Sequence, residues 1–201
     1  DRVYALAREQ SGNRMPLIWP LPNVWIGTSV EDQARADARI PHLMQCDAAV
    51  HFVSAEPLLG PLDFMRVDFG RGGVQNVLDG RVSDRAKKAG IEKLNTVDWV
   101  ICGGESGPHA RPCDVAWIRS IVRQCADAGV PCFVKQLGRD PCIRVKDYED
   151  TVTYCKSGGF WPDTEYGNAN AWILRITDRK GGDPAEWPED LRVRQFPEVR
   201  R

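Results

Sequence analysis

The chain has 201 residues, of which 42% are hydrophobic and 27% charged, and its formal net charge is −1. These values suit one globular domain and argue against a stand-alone, nonspecific nucleic-acid binder, because such proteins carry a strong basic excess. No apolar run approaches the roughly 20 residues that cross a bilayer, and residues 1–10 are too charged for a secretory signal peptide, so we expect a cytoplasmic protein without membrane contact.

The first third of the chain predicts two buried strands with a helix between them. The strands are the apolar segments 24–30 and 49–55. Ser29 is the expected N-cap of the helix, with Asp32 completing a capping box before the Ala- and Arg-rich stretch 31–39. We expect Pro41 to break this helix or to restart it as a short second one.

The middle of the chain predicts an insertion followed by a second strand–helix–strand unit. Residues 64–96 contain the glycines and aspartates that are typical of a loop-rich insertion or a small hairpin. The third and fourth strands are the segments 97–102 and 130–136. The helix between them has Asp114 as its N-cap and Gly129 just past its end, with apolar residues at helical spacing between the two.

Short apolar strands that alternate with amphipathic helices indicate an α/β fold with a parallel sheet. This alternation stops after Leu137. We therefore expect residues 1–139 to form the sheet-and-helix part, interrupted by the insertion at about 64–96. Residues 140–201 are expected to form an irregular C-terminal extension that packs on this part.

Polar or glycine residues follow each predicted strand. Parallel β/α architectures bind ligands at the carboxyl ends of their strands, so we expect these residues to converge on one site. The candidate catalytic residues are Glu56, Glu105 and Lys135. The candidate cofactor-binding residues are Ser29, Glu31, Ser54, Gly103, Gly104 and Ser106.

Each candidate also has a purely structural interpretation. Glu56 fits either a solvated loop acid or a ligand contact. Gly103 and Gly104 fit either a tight turn or a backbone that lets an anion or nucleotide approach. Lys135 ends a buried strand, where an unpaired charge is costly. It either pairs with Glu56 or Glu105, or it binds a carboxylate or phosphate.

Cysteine and histidine residues do not predict a metal site. The 7 cysteines are odd in number, scattered and without a CxxC pair, which suits a reduced compartment better than a disulfide framework. The 3 histidines form no paired ligand motif. The common nucleotide fingerprints, Gly-Lys-Ser/Thr and Gly-x-Gly-x-x-Gly, are absent as well.

Four sequence blocks together carry a resemblance to a known family. They are Leu-Pro-Asn-Val-Trp-Ile-Gly-Thr-Ser-Val-Glu-Asp-Gln at 21–33, Phe-Val-Ser-Ala-Glu-Pro-Leu-Leu-Gly-Pro-Leu-Asp at 52–63, Asp-Trp-Val-Ile-Cys-Gly-Gly-Glu-Ser-Gly at 98–107 with Ala-Arg-Pro at 110–112, and Gly-Val-Pro-Cys-Phe-Val-Lys-Gln at 129–136. The tail blocks Asp-Arg-Lys-Gly-Gly-Asp at 178–183 and Glu-Trp-Pro-Glu-Asp-Leu at 186–191 fit the same pattern. In order and spacing these blocks, which span nearly the whole chain, resemble the phage gp thirty-seven/gp sixty-eight family.

The resemblance implies the C-terminal part of a partial TIM-type barrel of the radical S-adenosylmethionine type. Members of that family carry a three-cysteine motif near their N-terminus, where a 4Fe-4S cluster would bind and cleave S-adenosylmethionine. This sequence starts after that region, so we expect the chain alone to bind no cluster. The Gly-Gly-Glu at 103–105 lies on a late strand, so the role that an early-strand Gly-Gly-Glu has in radical enzymes is not carried over.

Three functional hypotheses stay open. The first is radical chemistry on a small molecule or nucleotide, with a nucleic-acid base as a further possible substrate that the net charge does not support. Glu56 and Glu105 would then orient hydroxyls, and Lys135 would meet an anionic group. The second is a non-catalytic module that binds a nucleotide, nucleic acid or protein. The third is a metal-free hydrolase or isomerase in which the same two glutamates lie together and one has a raised pKa.

A partial barrel also leaves an edge of its sheet open, and open edges pair with other chains. We therefore expect the isolated chain to associate with a second copy or to be only marginally soluble. Elution as a stable monomer in size-exclusion chromatography would contradict this expectation.

Overall fold

The secondary structure follows from a computed structural model that describes residues 19–81, 84–88, 95–144, 160–162, 170–174 and 176–198. In chain order the elements are β1 (Trp25–Ser29), α1 (Gln33–Leu43), β2 (Val50–Ala55), β3 (Val67–Asp68), β4 (Val74–Gln75), α2 (Asp84–Lys88), β5 (Trp99–Gly103), β6 (Cys113–Asp114), α3 (Val115–Ala128), β7 (Cys132–Gln136), β8 (Pro141–Arg144), β9 (Phe160–Pro162) and β10 (Asn170–Ile173). Short 3-10 helices lie at Gly70–Gly72, Pro184–Glu186 and Glu189–Leu191. In this part of the chain no helix has the length and apolar character needed to cross a membrane.

The central sheet contains the four strands that the sequence predicts, in the spatial order β1-β2-β5-β7. All of its neighbouring pairs are parallel. Ser29 lies opposite Ser54, and Ser54 lies opposite Ile101 on the next strand. The predicted mixed α/β fold with a parallel sheet is therefore confirmed, and the carboxyl ends of all four strands meet along one edge.

One face of this sheet is buried by the two long helices. Strand residues Val53, Val100 and Val134 are fully buried on that face. Ile40 of α1 and Ile118 of α3 belong to the same apolar core. Full burial of one such side chain contributes about 1.5–3 kcal/mol, so packing on this face stabilises the sheet.

The two helices test the capping predictions. Asp114 caps α3 by accepting a hydrogen bond from the Ala116 N–H at 2.9 Å, and Gly129 ends the helix with φ 69°, so both predictions are confirmed. For α1 the predicted cap is wrong. Ser29 stays in β1, and the cap is Asp32, whose Oδ1 accepts a hydrogen bond from the Arg35 N–H at 2.9 Å.

Pro41 does not break α1, in contrast to the prediction. The helix continues through it to Leu43, which is 4% exposed, and Ile40 just before it is fully buried. Proline removes one backbone hydrogen bond close to the end of the helix. Burial of the apolar side chains on both sides of Pro41 offsets that loss.

The insertion and the tail contain strands of their own. In the insertion, β3 and β4 pair antiparallel, which confirms the predicted small hairpin. Beyond Leu137 the sequence predicted irregular structure, but β8, β9 and β10 lie there and join β6 in a second sheet, in the order β6-β8-β10-β9. Of its pairs, β6–β8 is parallel and the other two are antiparallel.

The C-terminal segment 193–196 covers the outer edge of β7. The Val134 N–H donates to the Val193 carbonyl at 2.8 Å, and the Gln195 N–H donates to the Cys132 carbonyl at 2.8 Å. Phe133 and Arg194 form an antiparallel bridge between these bonds. The β7 edge of the central sheet is therefore paired by the chain itself.

Buried His51 on β2 should make stability depend on pH. Its Nδ1 lies 3.6 Å from an Asp98 carboxylate oxygen and its Nε2 lies 2.7 Å from the Cys46 carbonyl oxygen. The contact with Asp98 raises the pKa of His51 above its usual 6.5, mainly through hydrogen bonding. A raised folded-state pKa means that folding favours the protonated ring. Its stabilisation is complete below the unfolded-state pKa and is lost as pH rises through the folded-state pKa.

We therefore expect the free energy of unfolding to fall as the pH rises above about 6.5, as measured by urea denaturation at several pH values. His51→Gln should flatten this slope, whereas His42→Gln, which changes an exposed histidine on α1, should keep it. A slope that persists in His51→Gln would assign the pH dependence to another group.

Candidate functional site

The face of the sheet opposite the helices changes character along the strands. Alternate residues of a strand share a face, and on this face the residues near the amino ends are aromatic. Trp99 lies between Phe52 and Phe133, with ring centroids 6.2 Å apart in each pair. Towards the carboxyl ends the same face carries Ser54 and then Glu56. An apolar floor therefore leads to a polar rim at the carboxyl edge.

An ion pair joins two strands of this rim. Lys135 Nζ donates to Glu56 Oε2 at 3.1 Å, so the predicted pairing of Lys135 goes to Glu56 and not to Glu105. The carboxylate is the more enclosed partner, since the side chain of Glu56 is 13% exposed and that of Lys135 is 57% exposed. The ammonium group is thus open to solvent or to a ligand on its outer side.

A bulge places Lys135 at the rim. The register between β5 and β7 passes from Cys102 opposite Val134 to Gly103 opposite Gln136. Lys135 is therefore an extra residue of β7 that has no partner residue on β5. Such an extra residue bends its strand and changes the direction of a side chain, and it is frequent beside functional sites.

Gly103 and Gly104 provide room for the protein's own atoms. A Cβ at Gly103 would lie 2.9 Å from Glu56 Oε1 and 2.7 Å from the Gln136 carbonyl oxygen. A Cβ at Gly104 would lie 2.3 Å from the Leu137 carbonyl oxygen. The glycine pair therefore lets the Glu56 carboxylate and the chain after β7 pack against β5, so internal packing explains why both residues lack side chains.

Glu105 pairs with an arginine and not with Lys135. Arg111 Nε and Nη2 donate to its two carboxylate oxygens at 2.8 and 3.0 Å, and the Arg111 N–H donates to Oε2 at 2.9 Å. These bonds lower the pKa of Glu105. The acid–base hypothesis needs a glutamate of raised pKa, and Glu105 does not meet that requirement.

The remaining predicted residues lie at different places along the edge. Glu31 accepts two hydrogen bonds of 3.1 Å from Arg39 Nη1, which also donates to the Ser29 carbonyl at 2.8 Å. Ser54 is half-buried in β2, and its carbonyl accepts the Val30 N–H. Ser106 is exposed and lines a separate cleft with Arg139.

The described cysteines do not form an iron–sulfur site. Cys102, Cys113, Cys125, Cys132 and Cys142 are buried, and Cys46 is exposed. Burial raises the pKa of Cys113, which disfavours the thiolate that a cluster needs. In the described part of the chain no group of three or more Cys, His, Asp or Glu residues is placed to hold a metal ion. These residues therefore do not fit the cluster that the resemblance implies.

Three side chains at this edge were not among the predicted site residues. Gln136 Nε2 donates to the Gly104 carbonyl at 2.9 Å, Arg111 holds Glu105, and Arg139 follows β7. A signal existed for two of them. Gln136 ends the fourth strand next to Lys135, and Arg111 lies in the Ala-Arg-Pro block that follows the third strand.

The fold and the site define a mixed α/β protein whose parallel sheet carries polar side chains at its carboxyl edge. Residues 1–162 match the family described as protein of unknown function DUF5131. The chain belongs to this family, because the match spans most of its length. No curated protein matches the chain, and no solved structure matches it.

Proposed function

We propose that the chain supplies the C-terminal strands of a partial TIM-type barrel enzyme of the radical S-adenosylmethionine type, acting on a small molecule or nucleotide. The observation that carries the ligand-binding part is the convergence of Glu56, Gly103 and Lys135 from three neighbouring parallel strands. The carboxyl edge of a parallel sheet is the usual ligand site of β/α proteins. The resemblance supports the reaction type.

The ion pair at the rim suits a ligand with groups of both charges. Lys135 has its exposed side free for a carboxylate or phosphate, while Glu56 accepts from an ammonium or hydroxyl group. An amino acid moiety, such as that of S-adenosylmethionine, carries both kinds of group. The aromatic rings of Phe52 and Trp99 below the rim offer an apolar surface for a flat ring.

The iron–sulfur cluster would have to be held by residues other than the described ones, so we derive no reaction step through it. The test therefore uses the complete gene product, reconstituted anaerobically with iron and sulfide. With S-adenosylmethionine and a reductant, we expect formation of 5′-deoxyadenosine. Absence of both cluster and cleavage would overturn the radical proposal.

Glu56→Gln and Lys135→Met should each weaken S-adenosylmethionine binding by about tenfold or more, because each removes a charge-assisted contact. Isothermal titration calorimetry on the same preparation measures the affinity. Asp84→Asn and Lys88→Met change an exposed acid and an exposed base within the insertion and serve as matched controls. Equal losses in the controls would contradict a role for the rim.

A second candidate function is a non-catalytic binding module. The absence of a ligand set for a cluster among the described residues favours it. In that case Glu56→Gln and Lys135→Met would weaken binding of a nucleotide or another small molecule, while the complete gene product cleaves no S-adenosylmethionine. The two candidates therefore differ in cleavage and not in the effect of the rim variants on binding.

A further inference from the structure

A basic cleft lies beside the rim, at the end of the third strand of the sheet. It has a volume of about 280 Å³. The residues that line it are Ser106, Gly107, Pro108, Arg139, Arg179 and Lys180. They come from three separate parts of the chain: the loop after β5, the residues after β7 and the C-terminal extension. The tertiary structure, and not local sequence, therefore assembles this cleft.

Backbone contacts fix these three parts against one another. The Arg139 N–H donates to the Glu105 carbonyl at 2.8 Å, and the Leu137 N–H donates to the Gly181 carbonyl at 2.9 Å. A Cβ at Gly181 would lie 2.2 Å from the Gly138 carbonyl oxygen, and its φ is 62°. Glycine at this position lets the turn that carries two of the basic residues dock on the chain after β7.

The cleft concentrates positive charge. Three of its six lining residues are cationic and none is acidic. Within the described ranges, Arg139, Arg179 and Lys180 form no ion pair within 4 Å; Arg139 Nη1 instead donates to the Gly107 carbonyl at 3.3 Å. Of the nearby acids, Glu105 is held by Arg111, whereas Asp178 lies beside Lys180 and accepts its N–H at 2.7 Å, so Asp178 offsets part of this positive charge.

Three cations in one cleft repel each other unless an anion joins them. Here all three residues are exposed, and together with Ser106 they line the same volume. Arginine and lysine with a hydroxyl donor are the groups that recognise phosphate. The volume lies near the lower end of the range for small-molecule pockets, which leaves room for a phosphate and a small attached group.

We propose that this cleft binds the phosphate group of a small phosphorylated molecule. The phosphate sits between the three cationic side chains and accepts a hydrogen bond from Ser106. The net charge of −1 favours a small anion over a nucleic acid, whose binders carry a broad basic surface. This inference goes beyond the function proposed above and needs neither a cluster nor S-adenosylmethionine. The phosphate-binding proposal and the radical-enzyme proposal can therefore fail independently.

The test is calorimetric titration of the protein with inorganic phosphate and with ribose 5-phosphate at fixed ionic strength. We expect saturable binding with one site per chain. Arg139→Gln, Arg179→Gln and Lys180→Gln should each weaken it about tenfold, because each removes one charge-assisted contact. Arg71→Gln is the matched control, since Arg71 is an exposed arginine in the hairpin of the insertion.

Thermal unfolding of every variant separates loss of binding from loss of folding. Lys180 is exposed in a turn, so its variant remains informative if Arg139→Gln unfolds. The proposal is overturned if neither probe binds, if the cleft variants bind like the wild type, or if Arg71→Gln weakens binding as much as they do. Cleft-dependent binding of a single-stranded oligonucleotide without binding of either small probe would also overturn it, in favour of a nucleic-acid backbone.

Discussion

Replacing Gly104 with alanine should lower the free energy of unfolding by about 3 kcal/mol, the upper part of the range for overpacking. The added Cβ would lie 2.3 Å from the carbonyl oxygen and 2.8 Å from the carbonyl carbon of Leu137. Both are backbone atoms, so no side-chain rotation can relieve the clash. Either β5 or the chain after β7 must move. Urea denaturation of the wild type and the variant measures the loss.

Gly60→Ala is the matched control for this substitution. Gly60 is buried like Gly104, but a Cβ there would meet its nearest heavy atom, the Asp32 Cβ, at 3.4 Å, an ordinary van der Waals contact. We expect a change in the free energy of unfolding within about 1 kcal/mol for Gly60→Ala. If both variants lose the same amount, the close approach of β5 and Leu137 is not the cause.

Gln124→Leu should also cost about 3 kcal/mol. Gln124 is 7% exposed on α3, and its side chain bonds to two backbone groups where the insertion begins. Its Oε1 accepts the Phe64 N–H at 2.8 Å, and its Nε2 donates to the Leu62 carbonyl at 2.8 Å. Leucine fits the apolar surroundings but leaves both groups unpaired, and each buried unpaired group costs about 1–3 kcal/mol.

Gln45→Leu is the control, because Gln45 is exposed and its Nε2 donates to the Pro41 carbonyl at the end of α1. It should change the free energy of unfolding by less than about 0.5 kcal/mol. Hydrogen exchange of the Phe64 amide provides a second measurement, and it should accelerate in Gln124→Leu alone. Unchanged exchange in that variant would contradict the anchoring role of Gln124.

The parts of the fold that the sequence predicts correctly depend on local or strictly periodic signals. The four apolar runs give the four parallel strands, and Asp114 with Gly129 gives the limits of α3. Asp32 and Ser29 show where such signals become ambiguous. Both residue types are good N-caps. Strand pairing decides between them, because Ser29 stays in β1, in register with β2, and leaves Asp32 as the cap of α1.

The second sheet could not be predicted from local patterns. β6 is two residues long and is completed by β8, which follows it after the whole of α3. Strands this short carry too few residues for a two-residue alternation to be recognised. Their pairing partners are distant in sequence, so tertiary structure determines them.

The sequence indicates which polar residues follow the strands, but it leaves open how they pair. Of the alternatives left open for Lys135, the structure shows pairing with Glu56, which follows β2 and meets Lys135 of β7 across the intervening strand β5. The pairing of Glu105 with Arg111 was not foreseen. It depends on Arg111, which reaches back over six residues from a loop without regular structure. The basic cleft depends on a turn of the C-terminal extension, where the sequence offered no periodicity.

The segment that covers β7 limits how copies of this protein can assemble. Its antiparallel bonds at residues 193–195 occupy the groups of β7 that another strand would need. Sheet-to-sheet addition through β7 is therefore blocked, and a growing fibre requires two available edges on every subunit. The C-terminal segment therefore removes β7 from the edges through which copies of the protein could join strand to strand.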